Sequence, residues 1–365
     1  MRFPSSRPPP SRYSSLRRPV EPTLDPFTHA LSSIVLARAT QKFLPRRGLA
    51  ILLIAGLAPD LDSLSYFVGA SAYLRFHATL LHALPSALAL AVIVTLIFLA
   101  LDRSTARRDE LEGRAHFRFV PALLTALAGV ALHLALDSFT AVGFRPLWPV
   151  AGKWLHLDLV PNFEIWTVLL LATALAIPEL AAMVREEIGD RERTPRGIPA
   201  AVTALALLIL YVCARAGLHS QALHLLSSRE FPEGAPIAAG AFPTGSPFTW
   251  RGVVATETSI DEVDVPFLPG ETFDPDRAVA HAKPDPSPTL DAAQSTRSAQ
   301  NFLAYAVFPL AAVQTSDTDT HVLFRDVRFE ANDKSPNNLA VEIVLGKTLQ
   351  VEDATTYYNA SGRSR

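Results

Sequence analysis

"HLALDSFTAVGFRPLWPV" occupies residues 133–150, and its first few residues decide how the chain folds. It begins inside an apolar stretch, 119–141, long enough to cross the roughly 30 Å hydrocarbon layer of a bilayer as a helix. Two ionisable groups, His133 and Asp137, sit in that stretch. A charged group there costs on the order of 2.5–3.5 kcal/mol by insertion scales. Such groups face a cavity, a partner or a metal. At i, i+4 a helix puts both on one face. The pair can then grip one cation or orient a ligand, with Thr140 in support. It reads equally as a neutral histidine bonding a carboxylate to steady helix packing.

Working outward, apolar runs of 18 to 23 residues recur at 49–69, 84–101, 119–141, 163–183 and 199–218. Each has the length of a span. A shorter amphipathic run, 27–43, reads as an interfacial or re-entrant helix, or a short span. The chain has 365 residues, 49% of them hydrophobic, and a positive mean hydropathy, which suits a membrane protein. The net charge of −2 gives no sign of nucleic-acid binding, so membrane lipids are the expected surroundings. The lone Cys213 excludes an internal disulfide framework and a cysteine-rich zinc site. Any metal must be held by His, Asp and Glu.

Basic segments set the expected orientation. Residues 38–47, 103–118 and 185–196 are rich in Arg and Lys, whereas 142–162 holds only Arg145 and Lys153. Placing the three basic segments in the cytoplasm leaves the C-terminal region outside. Residues 1–24 are rich in Arg, Pro and Ser, lack the apolar core of a secretory signal, and read as a disordered tail. Leu24, directly before "DPFTHA", is an alternative start that would leave that tail untranslated. After about residue 218 the composition turns polar. "FTWRGVVATETSIDEVDV", "HVLFRDVRFE" and "LAVEIVLGKTLQV" read as strands, with a helix over "DAAQSTRSAQNFLAYAVF" between them. The expectation is a mainly α protein: about five spans plus a short N-terminal helix over 25–218, a smaller extracytoplasmic α+β domain over 219–352, and a frayed tail over 353–365.

Other ionisable groups cluster at the apolar segments. "APDLDS" places Asp60 and Asp62 at i, i+2, which a regular helix would send apart, but Pro59 interrupts the helix there. In a turned backbone both carboxylates can face one cation, or they form a polar turn at the membrane surface. "HATLLHA" spaces His77 and His82 by five. In "DPFTHALS" Asp25 can cap a helix and Pro26 fits its first position, which puts His29 in the first turns. Glu164 opens the 163–183 run. The zigzag gathers most of these at the outer membrane face, and eight nitrogen and oxygen donors at one depth suffice for two divalent ions or more.

With those residues in hand, the chain resembles the YdjM-like group, described as LexA-binding, inner membrane-associated, metal-dependent hydrolases. "DPFTHALSSIVLARA" resembles the family's opening D-x-x-T-H-x-L block, "LAPDLDS" its P-D-x-D, and the 133–150 stretch its H-x-x-L-D-x-x-T block. "FTWRGVV" and "LFRDVRF" resemble its late segments. The resemblance implies that His29, Asp60, Asp62, His77, His82, His133 and Asp137 are metal-site residues. Glu164 stands where the family usually has aspartate. The family's H-R-G-x-T-H-S becomes residues 77–83 here, keeping both histidines and losing the arginine, threonine and serine. The implied activity is hydrolysis of an ester or phosphoester, lipid-linked substrates included. Glu164 or Asp62 would be the general base, and zinc the first choice of cation with manganese as the alternative. The competing reading is a non-catalytic membrane protein whose His/Asp cluster staples helices and which binds a protein partner.

Overall fold

The computed structural model describes residues 26–111, 117–187, 197–329, 340–357 and 363–364, with side chains left out over 105–111. The readings placed on residues 1–24, the cap at Asp25, and Arg114, Arg191, Arg193 and Arg196 of the basic segments fall outside these. The described chain divides into two compact units, one built on 23–68 and 75–280, the other on 69–74 and 281–365.

The first unit is helical at its N-terminal side: α1 (Pro26–Ala39), α2 (Gly48–Leu57), a 3-10 segment Pro59–Val68, then, after α3 (Ala70–Phe76), most of which belongs to the second unit, α4 (Leu84–Leu111), α5 (Phe119–Ser138), α6 (Ile165–Glu187) and α7 (Ile198–Ser228). A chain without water must satisfy its backbone internally, and helices do so within one segment. Four of these helices, α4 to α7, are long and apolar enough to cross a membrane. α2 and the 3-10 segment make a fifth if counted as one span, but they are bent by 42°. The apolar run 49–69 is thus broken at Pro59, as the sequence indicates, because proline cannot donate the backbone bond that would carry α2 onward. The outer helix faces carry exposed leucines and isoleucines, with Leu88 at 58%, Ile209 at 65% and Leu210 at 64%. Contiguous apolar surface of that kind calls for lipid.

α1 has 14 residues, about 21 Å of helix, too short to span. It packs on α2, α6 and α7, burying Val35 against Leu171, Ala201 and Ala204. It is thus a short helix packed between α2 and the longer α6 and α7. α2 and α5 form the most extensive helix pairing. Their contact is lined by small residues: Ala122, Ala126 and Gly129 on α5, and Ala55 and Gly56 on α2, all buried. A Cβ on Gly129 would lie 2.6 Å from the Leu52 carbonyl oxygen, so only glycine allows this approach.

α7 has 31 residues, about 46 Å, and outruns the apolar stretch seen in the sequence. Its C-terminal turns bury Ala222 and Leu226 against Trp250, Val254 and Val265. Those belong to a four-stranded sheet of β1 (Ala238–Pro243), β2 (Thr249–Ala255), β3 (Ser259–Pro266) and β4 (Val279–Ala282), in that order, with β1–β2 and β2–β3 antiparallel. In the second unit, α8 (Pro288–Gln294) and α9 (Arg297–Leu303) pack on an antiparallel sheet of β5 (Pro309–Thr315), β6 (Asp319–Asp326), β7 (Ala340–Gly346), β8 (Val351–Tyr357) and β9 (Arg363–Ser364). The single helix expected over 291–308 is two, because the Thr296 side chain caps α9 at the Ala299 N–H. β8 also carries ordered backbone into the stretch read as frayed.

Candidate metal centre

The close packing of α2 and α5 fixes the first ligand. α2 stops at Leu57, so its last carbonyls lack helical partners. One of them, Gly56, accepts a hydrogen bond from His133 Nδ1 at 2.7 Å. That assigns the proton to Nδ1 and leaves the His133 Nε2 lone pair free to face inward. Asp137, one turn on, lies on the same face with Oδ2 3.1 Å from His133 Nε2.

The 3-10 segment supplies the carboxylates. Asp62 is buried, and its two oxygens accept from two rings, His77 Nδ1 and His82 Nδ1, each at 2.9 Å. His82 therefore also presents Nε2. That atom lies 3.1 Å from His133 Nε2 and 3.1 Å from Asp137 Oδ2. Asp60 Oδ1 approaches the same two nitrogens at 3.8 and 3.6 Å. Its other oxygen is buried with no hydrogen-bond partner among the described residues. His29, from α1, stacks its ring on that of His133 at 4.0 Å and sets Nε2 3.2 Å from Asp137 Oδ1.

Two nitrogen lone pairs and a carboxylate oxygen at mutual distances of 3.1 Å repel unless a positive charge lies between them. Donors about 2.1 Å from one ion stand roughly 3.0 Å apart at right angles and roughly 3.4 Å apart at tetrahedral angles. The triangle fits that range. Burial opposes charge on His82, but hydrogen bonds to Asp137 and Asp62 outweigh it and push its pKa up to about 10. The cluster calls for a cation of some kind, proton or metal.

Two donor sets have the spacing of a metal site: His82, His133 and Asp137, and His29, Asp60 and His133. Both use His133, whose one available lone pair is Nε2, so they are two halves of a single centre. All seven residues carried over from the sequence are joined by these contacts. Asp62, read from the sequence as both ligand and base, has both oxygens engaged by ring nitrogens, which gives it an orienting place. His77 binds Asp62 from outside the triangle.

A cavity of about 80 Å³ opens beside the centre, lined by His29, Asp60, His77, His82, Asp137 and Glu164 among others. Glu164 is buried and precedes α6. It accepts from Tyr211 Oη at 3.1 Å and from the Trp166 N–H at 3.3 Å. Burial raises its pKa, against the pull of those bonds and of Arg215. Arg215 escaped the sequence reading. It is 1% exposed, donates Nε to the Leu159 carbonyl at 2.8 Å and Nη1 to the Pro247 carbonyl, and lies 4.0 Å over the Trp250 ring. It thereby holds the segment whose Val160, Pro161 and Asn162 wall the cavity. Its signal was an arginine inside an apolar run, the same criterion that exposed the histidines.

A bundle of membrane-length helices enclosing a His/Asp donor cluster defines an integral membrane protein with a candidate metal centre. Residues 24–221 match the model for the YdjM inner membrane protein, and the chain belongs to that family. It is also similar to the uncharacterised protein YfhP of Bacillus subtilis (strain 168), 26% identical over 121 residues, which cover 33% of this chain and 33% of that protein. The match thus spans about a third of that relative's length. No solved structure matches the chain.

Proposed function

We propose that this protein is a membrane-embedded, metal-dependent hydrolase of ester-type bonds near the membrane surface. The observation that carries the reading is the triangle of His82 Nε2, His133 Nε2 and Asp137 Oδ2, with both rings held in the ligating tautomer by Asp62 and the Gly56 carbonyl. These three, with Asp60 and His29 on the open side, would hold one divalent cation, zinc by donor type, with manganese as the alternative. Asp60 and Asp137 are the carboxylates that would also serve a second ion. A bound divalent cation lowers the pKa of a bound water toward neutrality and polarises the scissile oxygen. Glu164, buried with its pKa raised, is the proton carrier on the cavity wall. Asp62 keeps both rings aimed, and the surrounding helices exclude bulk water.

Purified protein should contain one such ion per chain by elemental analysis. Stripping it with a chelator should abolish hydrolysis of a panel of carboxylic and phosphoric esters, and re-adding it should restore the activity. Absence of any ion would overturn the reading. A second reading, a cation that only staples α2, α5 and the His77–His82 loop while the protein serves a protein partner, is favoured by Ala78 standing where the family pattern has arginine. Metal content with no turnover across the panel would select it. We further place the region after α7 outside the cytoplasm, from the basic segments of the sequence. A reporter active only in the cytoplasm, fused after Arg365, should then stay silent.

A further inference from the structure

The cavity beside the centre is lined by two chemically different sets of residues. One is acidic: Asp60, Asp137 and Glu164. The other is apolar and includes Leu208 and Val212 of α7, which lie within the apolar run 199–218. Leu208 stands about 15 Å along α7 from Ile198, inside that run. A molecule that fills the cavity therefore lies against an apolar stretch of helix of membrane-spanning composition. No lysine or arginine is among the described residues lining the cavity. Ala78, which also lines it, is 3% exposed and occupies the family's arginine position. A guanidinium fork is the usual partner of phosphate. Without one, a phosphate-bearing head group could pair only with the bound cation, whose charge Asp60 and Asp137 already offset. An ester carbonyl brings no net charge.

We propose that this site takes an uncharged carboxylic ester of a lipid, its chain along Leu208 and Val212, and discriminates against phosphate-bearing amphiphiles. This rests on the hydrolase reading and names its substrate class. In the reaction, the oxygen of water bonds to the carbonyl carbon and the carbon–oxygen bond to the alcohol breaks. The alcohol leaves with one water proton, and the acid leaves as carboxylate, releasing the other.

The test uses the full chain, with its metal, in phosphatidylcholine nanodiscs. Two photo-reactive diazirine probes on a twelve-carbon chain are compared, a methyl ester and a phosphate monoester. The ester should crosslink to α7 around Leu208–Val212 at least about tenfold more than the phosphate, as expected where no guanidinium or ammonium supports the phosphate charge. Leu208→Trp, and independently Val212→Phe, should cut ester labelling while metal content stays at the native level. Ala78→Arg should shift labelling toward the phosphate probe. Equal or stronger labelling by the phosphate in the unsubstituted protein would overturn the proposal, as would ester labelling that both wall substitutions leave unchanged. Selective ester labelling without turnover would sink the hydrolase reading and leave this ligand assignment standing. Turnover of a soluble phosphoester without ester labelling would do the reverse.

Discussion

α5 and the α2–3-10 pair press together at the centre of the helical unit, and each delivers polar groups to the same centre by an opposite route. α5 stays regular. His133 and Asp137 need only the i, i+4 geometry of an unbroken helix to share a face. The α2 segment must break, because Asp60 and Asp62 at i, i+2 would point apart on a regular helix. The chain bends by 42° at Pro59 into the 3-10 segment that carries both, and they meet His82 from two sides, Asp60 Oδ1 3.8 Å from Nε2 and Asp62 Oδ2 2.9 Å from Nδ1. The bend also frees the Gly56 carbonyl that orients His133. One element supplies candidate ligands through its regularity, while the other supplies a candidate ligand, an orienting carboxylate and a bare carbonyl through its irregularity. Each depends on the other, since the carbonyl serves only if the glycine-lined contact holds the two backbones close.

The comparison breaks most completely at His133. His133→Ala removes a ligand and leaves the Gly56 carbonyl without its donor. Metal content should fall to about a tenth of native or less while the protein still inserts, given that inner-ligand losses exceed the roughly 10- to 100-fold cost of outer ones. Elemental analysis of membrane-extracted protein decides it, and near-native occupancy would remove His133 from the centre. Next comes the contact itself. Gly129→Val drives a side chain into the Leu52 carbonyl and should cost about 1–3 kcal/mol. Unfolding in mixed micelles should show it, together with weaker metal binding, because the two helices separate where the ligands meet. Unchanged stability would mean that α2 and α5 do not pack as described.

How much of this was legible follows the same division. Regular features could be read directly. The apolar runs mark α4 to α7, and the i, i+4 pair marks the α5 face. Pro59 announced the break but not its consequence, because a freed backbone carbonyl has no letter in the sequence. The extension of α7 was hidden, since 219–228 pairs polar residues with an apolar face that meets a sheet instead of lipid. β1, "AAGAFP", has little strand propensity of its own and forms by pairing with β2. Arg215 was legible in principle, as an arginine in an apolar run, but its partners are carbonyls and a tryptophan distant in sequence.

A smaller effect sharpens the distinction between ligand and orienting group in the broken segment. Asp62→Asn keeps the shape and one acceptor oxygen, but turns the other position into an amide donor. His77 and His82 both present Nδ1 to this carboxylate, so one ring must lose its bond or change tautomer. If that ring is His82, its proton moves to Nε2 and blocks the lone pair aimed at the centre. Metal affinity should then fall by about 10- to 100-fold without vanishing, as for other outer-shell partners of ligating histidines.

The smallest effect lies one residue further on. Ser63 Oγ donates to the Asp60 carbonyl at 2.6 Å and steadies the turn that carries Asp60. Ser63→Ala removes one hydrogen bond of about 1 kcal/mol. Part of that loss is absorbed by the 3-10 backbone, so metal affinity should fall by no more than about fivefold, following the same free-energy conversion. Titration with a competing chelator resolves the three variants of the broken segment. Ser63→Ala should bind nearly as well as native, Asp62→Asn worse, and Asp60→Asn worse than Ser63→Ala through direct loss of a charged donor. If Ser63→Ala proved as damaging as Asp62→Asn, the hydroxyl would be part of the centre itself, and the division of the segment into ligand, orienting carboxylate and supporting turn would have to be redrawn.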